Sequence, residues 1–190
     1  MCRRAIGYKT MMLQTDPRPL QFCKPSPHAG TPPVHVEFLL NDRFLIAKFD
    51  VVCSTIYAKK ELARNEHPYE FDVVELFVTT SDSPSTAPYY EFEVSPFNQS
   101  LQVNVIEPRR EFHFGVKNGF EHTARLTPHG WAAEMWIPLH TIGHNASTDQ
   151  PIYGNAYAIL GEGDQRRYWS LFELPAGKPD FHIPAAFCEF

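Results

Sequence analysis

Apolar residues in this chain return at every second position, in segment after segment. In residues 44–52, Leu45, Ala47, Phe49 and Val51 take one side while Ile46, Lys48 and Asp50 take the other. That is the period of a strand with one buried and one partly wet face. Residues 35–40 precede it across Asn41-Asp42-Arg43, so the two segments predict a β-hairpin. The same period recurs in residues 73–79, 89–95, 101–105, 121–126, 131–137, 155–160 and 166–172. About nine short strands separated by turn chemistry predict an all-β fold, a two-sheet antiparallel β-sandwich. Only residues 54–67 offer helical propensity, through Ala58-Lys59-Lys60-Glu61-Leu62-Ala63-Arg64 behind a Ser54-Thr55 cap, and that stretch is short enough to be a loop with one turn.

Residues 1–33 are polar and broken by Asp16-Pro17-Arg18-Pro19, Lys24-Pro25-Ser26-Pro27 and Pro32-Pro33. They predict an extended N-terminal arm, with the sandwich occupying residues 34–190. The 17 prolines support many short strands over long helices, because proline is confined to loops, edges and element starts. With 43% apolar residues, a 190-residue chain can build a full core without disulfides. Its four cysteines (Cys2, Cys23, Cys53 and Cys188) form neither a C-x-x-C pair nor a zinc spacing.

A net charge of −5 with no basic block argues against nucleic acid or an anionic membrane surface as partner and favours a neutral or small polar ligand. The first ten residues have the positive charges of a signal peptide without its apolar core. The expectation is a cytoplasmic protein, or one whose leader precedes the sequence given.

Four motifs then line up in order. They are Asp72-x-x-Glu75-Leu76-Phe77; Tyr89-Tyr90-Glu91-Phe92-Glu93-Val94 followed by Pro96; Trp131-x-x-Glu134-x-x-Ile137-Pro138-Leu139; and Tyr168-Trp169-Ser170 followed by Phe181-His182-x-Pro184-x-x-Phe187. Together they make residues 35–190 resemble the family 9 carbohydrate-binding modules and their family 9-like (DOMON-like) sandwich relatives. The resemblance implies non-catalytic carbohydrate binding, with recognition of an oligosaccharide or polysaccharide end. Where many relatives carry a tryptophan ahead of the Asp-x-x-Glu motif, this chain has Tyr69. Where relatives show an arginine after an Asn-aromatic-Tyr pattern, it reads Asn155-Ala156-Tyr157-Ala158.

Sugar recognition needs flat aromatic faces for the C–H side of the ring and planar polar groups for the hydroxyls. Trp169 stands next to Arg166 and Tyr168, and Tyr69 lies in a polar loop where it can supply a facing wall. Glu75, flanked by Val73 and Phe77 on its strand face, is costly to bury without a partner, so it either accepts from a ligand or pairs with an arginine such as Arg166. The expected carbohydrate site is Tyr69, Glu75, Arg166 and Trp169. Glu91 and Glu93 share a strand face with Tyr89, and the plain expectation for that face is water. His182 is expected to be a hydrogen-bonded structural histidine.

No catalytic residues are assigned. The carboxylates carry no glycosidase signature, and Ser95 and Ser170 lack a nucleophile-elbow context. No cofactor is required, although the resemblance makes structural calcium plausible, with Asp42, Asp82 and Asp164 as hard loop ligands. Two alternatives stay open: a haem-binding electron-transfer sandwich using Met135 and a histidine, and an interaction domain that has lost its sugar site.

Overall fold

The computed structural model describes residues 13–14, 18–22, 32–116, 119–145, 148–175 and 179–190. Within them the alternating segments pair as two antiparallel sheets, with short 3-10 turns and no α-helix. Three short strands come first: β1 (Leu13–Gln14), β2 (Arg18–Pro19) and β3 (Gln21–Phe22). The long hairpin β4 (Val34–Leu40) and β5 (Phe44–Val52) follows. A meander of β6 (Val73–Thr79), β7 (Tyr89–Val94), β8 (Ser100–Glu107) and β9 (Glu111–Phe114) comes next. A second hairpin, β10 (Glu121–Thr127) and β11 (Gly130–Pro138), is followed by β12 (Tyr153–Leu160), β13 (Arg167–Ser170) and β14 (Cys188–Glu189).

The first sheet runs β1-β4-β5-β11-β10, with β2 also on β4; the second runs β3-β13-β12-β6-β7-β8-β9, with β14 also on β12. Most of the N-terminal arm lies outside the described residues. Its described pieces are extended and paired, β1 and β2 to the first sheet and β3 to the second, and Leu20 is fully buried in the core between them. Residues 54–67 contain no helix and lead into a 3-10 turn at Pro68–Glu70. Among the described residues no helix is long and apolar enough to cross a membrane.

Period-two alternation gives each sheet two faces. The inner faces meet in a core built from Phe38, Phe49, Trp131, Met135 and Ile137 on one side and Val74, Leu76, Val78, Phe92, Ala156 and Ala158 on the other. Met135, considered above as a haem ligand, is fully buried in that packing.

A second core lies on the outer face of the second sheet. There Val73, Phe77, Tyr89, Val103, Tyr157 and Ile159 are covered by Leu174, Phe181 and Phe187 from the C-terminal segment. Asn155, fully buried, fastens that cover: its side chain accepts from the Phe172 amide at 3.0 Å and donates to the Phe172 and Ala186 carbonyls. The Tyr157 hydroxyl adds a bond to the Phe181 carbonyl at 3.2 Å, and the two rings stack 4.1 Å apart. Beside this cover a cavity opens on the same face.

Candidate functional site

The Asp72-x-x-Glu75 motif divides into a clamp and a floor. Asp72 is buried, and its carboxylate accepts from the Tyr57 amide at 2.9 Å and the Gly161 amide at 2.6 Å, tying residues 57–72 to the end of β12. Gly161 has φ +83, and a side chain there would meet the Gln165 carbonyl at 2.7 Å, so this approach requires glycine. Burial raises the Asp72 pKa above the ordinary carboxyl value, and the two amides pull against that rise.

Three residues on, Glu75 points to the outer face. Register places it directly opposite Glu93 on β7, and Glu91, two residues back on the same face, lies opposite Phe77. All three glutamates are buried, and one carboxylate oxygen from each lies within 4.8 Å of the other two. The face expected to be wet is therefore dry, because the C-terminal segment and the 3-10 turn at Pro68–Glu70 cover much of it.

No ion pair among the described residues involves these carboxyls. Glu75 Oε1 and both Glu93 oxygens have no hydrogen-bond partner at normal geometry, although the Glu91 carboxyl and the Tyr69 amide stand close enough to act on the Glu93 charge. Burial, reinforced by the Glu91 charge, raises Glu75 well above the glutamate range against the opposing Arg166. Glu93 rises through burial and its two acidic neighbours, and burial pushes Glu91 up to about 7.

Glu75 and Glu91 line a cavity of about 640 Å³. Phe77, Val103 and Ile159 complete its apolar base, and rings stand around it: Tyr69, Phe112, Phe114, Tyr168 and Phe181. Tyr69 and Phe114 keep 38% and 56% of their surface exposed, and His67 stacks on Tyr69 with centroids 5.1 Å apart. Arg166 forms the polar edge. Its guanidinium donates to the Glu70 carbonyl at 2.9 Å, the Tyr69 carbonyl and the Tyr168 hydroxyl at 3.2 Å, which fixes the Tyr69 loop against the 3-10 turn preceding β13. On the C-terminal side, Asp180 pairs with Arg109 and accepts from the His182 amide at 3.0 Å. His182 Nδ1 shares a 2.7 Å hydrogen bond with the Tyr89 hydroxyl, and burial lowers its pKa.

No family model matches the sequence, and no curated protein matches it. Solved structures do. A candidate carbohydrate-binding protein from Bacteroides uniformis superposes with a TM-score of 0.73 at 18% identity, over 90% of this chain and 84% of that one. A family 9 carbohydrate-binding module from Caldicellulosiruptor kristjanssonii matches in its glucose complex (TM-score 0.57, 15% identity, 90% of this chain and 82% of that one) and in its cellotriose complex (0.55, 16%, 90% and 80%). The fold is that of the family 9 carbohydrate-binding modules.

On this family 9 fold, three of the four residues expected from the sequence come together: Tyr69, Glu75 and Arg166 all line the cavity. Trp169 does not join them. Its partner across the ladder is Ala158, an inner-face residue, and its ring packs against the core between the sheets. Its neighbour Tyr168, opposite Ile159, is the aromatic that β13 gives to the cavity. Sequence reasoning missed Phe112 and Phe114, which share one face of the short β9; an exposed Phe-x-Phe alternation was the available signal. It also missed the burial of Glu91 and Glu93. Among the described residues, those two with Glu75 form the only group of acids, histidines and cysteines close enough to share a cation, and the loop acids Asp42, Asp82 and Asp164 form no such group.

Proposed function

We propose that this domain binds carbohydrate without transforming it, holding a sugar, and a chain end in particular, in the cavity on the outer face of the second sheet. The observation that carries this reading is the combination of exposed rings at Tyr69 and Phe114 with a floor of carboxyls at Glu75 and Glu91 in one cavity of about 640 Å³. Flat rings take the C–H face of a pyranose, and carboxyls take its hydroxyls. The solved family 9 modules in complex with glucose and cellotriose support the ligand class. The C-terminal segment, which walls the cavity through Asp180, Phe181 and His182, favours a terminal sugar over a chain running through.

Hydrolysis is a poorer fit to the same geometry. A glycosidase places its two carboxyls on either side of the scissile bond, about 5–9.5 Å apart. Here Glu75, Glu91 and Glu93 share one face of the sheet at the base of the cavity, so no pair of them stands on two sides of a bound sugar. The remaining carboxylate of the lining, Asp180, is engaged by Arg109 and the His182 amide.

Calorimetric titration with glucose and cellotriose tests the reading. Saturable binding that Tyr69→Ala weakens about tenfold is expected, since one stacked ring contributes on the order of 1–3 kcal/mol of buried apolar area. Release of sugar from a polysaccharide, lost in Glu75→Gln, would reverse the non-catalytic assignment.

A further inference from the structure

The floor of the cavity holds three buried carboxyls that no ion pair among the described residues engages. The nearest cation, Arg166, spends its guanidinium on the Tyr69 and Glu70 carbonyls and the Tyr168 hydroxyl, and Arg109 is paired with Asp180. Glu75 Oε1, which lines the cavity, is buried without a hydrogen-bond partner, and Glu93 has only the Glu91 carboxyl and the Tyr69 amide close by, outside normal geometry; a native fold keeps so costly an arrangement only where something compensates it.

We propose that the cavity is built for a saccharide carrying a primary amine, with the ammonium group seated against the carboxyls of Glu75 and Glu91 and the Glu93 carboxyl behind them. This rests on the carbohydrate-binding reading of the same site. The geometry suits the group. An ammonium has three N–H donors and no acceptor, and oxygens within 4.8 Å of one another leave room for one nitrogen at the ~2.7–2.9 Å of a charge-assisted hydrogen bond from all three. While the ammonium sits on the floor, the ring that carries it lies among Tyr69, Phe114 and Tyr168, whose faces accept both C–H groups and cations.

A hard metal ion is the poorer occupant. Calcium takes six to eight oxygen ligands. The face around the three carboxyls is made of Val73, Phe77, Leu101, Val103, Tyr157 and Ile159, and the nearest further amide and carboxylate, Asn155 and Asp180, are engaged by Phe172 and Ala186 and by Arg109 and the His182 amide. Uronic acids are excluded by like charge.

Calorimetry at pH 7.5 with glucosamine, glucose and N-acetylglucosamine decides the matter. Glucosamine is expected to bind about tenfold tighter than either of the other two, because a charge-assisted hydrogen bond is roughly twice as strong as a neutral one. Glu91→Gln, which keeps the shape of the side chain but removes its charge, should abolish that preference. If the variant does not fold, the comparison of glucosamine with its N-acetyl form in the unmodified protein still decides, since acetylation removes the charge and keeps the sugar. Equal affinity for glucose and glucosamine overturns the amine assignment and leaves the carbohydrate reading intact. Failure of all three sugars to bind overturns both. Tight calcium binding that Glu91→Gln abolishes, with no preference for glucosamine, assigns the carboxyls to a metal and overturns the proposal.

Discussion

Glu75 and Glu93 face each other directly across the β6–β7 ladder, and both carboxyls are buried. Like charges at directly opposed positions destabilise a sheet, and burial penalises each charge again. With Glu91 beside them the fold holds three acids where apolar residues would be more stable. On the carbohydrate-binding reading, a cost of this kind at the base of a cavity ringed by aromatics is stability given up for a ligand.

The cost should be visible as an inverted pH dependence of stability. Folding raises the pKa of all three glutamates above the ordinary value of 4.5, that of Glu91 to about 7. At these three groups the folded state therefore binds more protons than the unfolded one, and their contribution to stability falls as pH rises from about 4.5 through 7, opposed by the smaller contribution of His182 and His122, whose lowered pKa values act in the other direction. Glu91 alone accounts for about 3 kcal/mol, or roughly 6–12 °C in melting temperature for a domain of this size. Arg166, whose charge favours ionised Glu75, moderates the effect. Calorimetric scans of the ligand-free protein at pH 5 and pH 8 check this, and a higher melting temperature at pH 8 contradicts it.

Glu93→Gln should raise the melting temperature at pH 8 and flatten the fall between pH 5 and pH 8. The substitution replaces a fully buried acid by a neutral amide, so ionisation at that position no longer costs stability and Glu75 opposite is relieved. Scanning calorimetry of the variant across the same pH range measures both effects. A large loss of stability at pH 8 would mean that Glu93 is held ionised by a partner.

How much of this was legible follows from what alternation can and cannot encode. The faces of β6 and β7 were readable: Glu75 with Val73 and Phe77, and Glu91 and Glu93 with Tyr89, fall on one side as the sequence predicts. Whether that side is wet was not readable. It depends on Phe181 and Phe187, which come from a segment with no periodicity about a hundred residues away and reach the sheet through hydrogen bonds to Asn155 and Tyr157. The phase of β13 was hidden for a different reason. Four residues, Arg167–Ser170, place an aromatic on each face, so sequence offers no basis for sending Tyr168 to the cavity and Trp169 to the core.

Asp72→Ala should lower stability and weaken sugar binding together. Its carboxylate satisfies the Tyr57 and Gly161 amides, and each amide left unsatisfied in a buried position costs about 1–3 kcal/mol. The loop it holds carries Tyr69, so the aromatic wall loses its position as well. Thermal denaturation and glucose titration of the variant check both effects, and unchanged stability would show that water replaces the clamp.

Tyr168 and Trp169 are adjacent in sequence and opposite in role, so a pair of alanine variants separates site from core. Tyr168 lies against Ile159 and Phe181 on the cavity side, where its ring also carries the Arg166 guanidinium 5.7 Å from its centroid. Trp169 is turned toward Ala158 and the packing between the sheets. Removing an aromatic side chain from a packed core costs about 3–5 kcal/mol when it is fully buried, and Trp169, half-buried, should cost about 2–3 kcal/mol. Trp169→Ala is therefore expected to depress the melting temperature markedly and to leave sugar affinity within about twofold wherever the variant remains folded. Tyr168→Ala removes a cavity ring and one acceptor of Arg166, so it is expected to weaken binding about tenfold with a smaller loss of melting temperature. Calorimetric titration beside thermal scans measures both quantities on the same samples. A reversal, with affinity lost in Trp169→Ala and kept in Tyr168→Ala, would move the sugar off this face of the sheet.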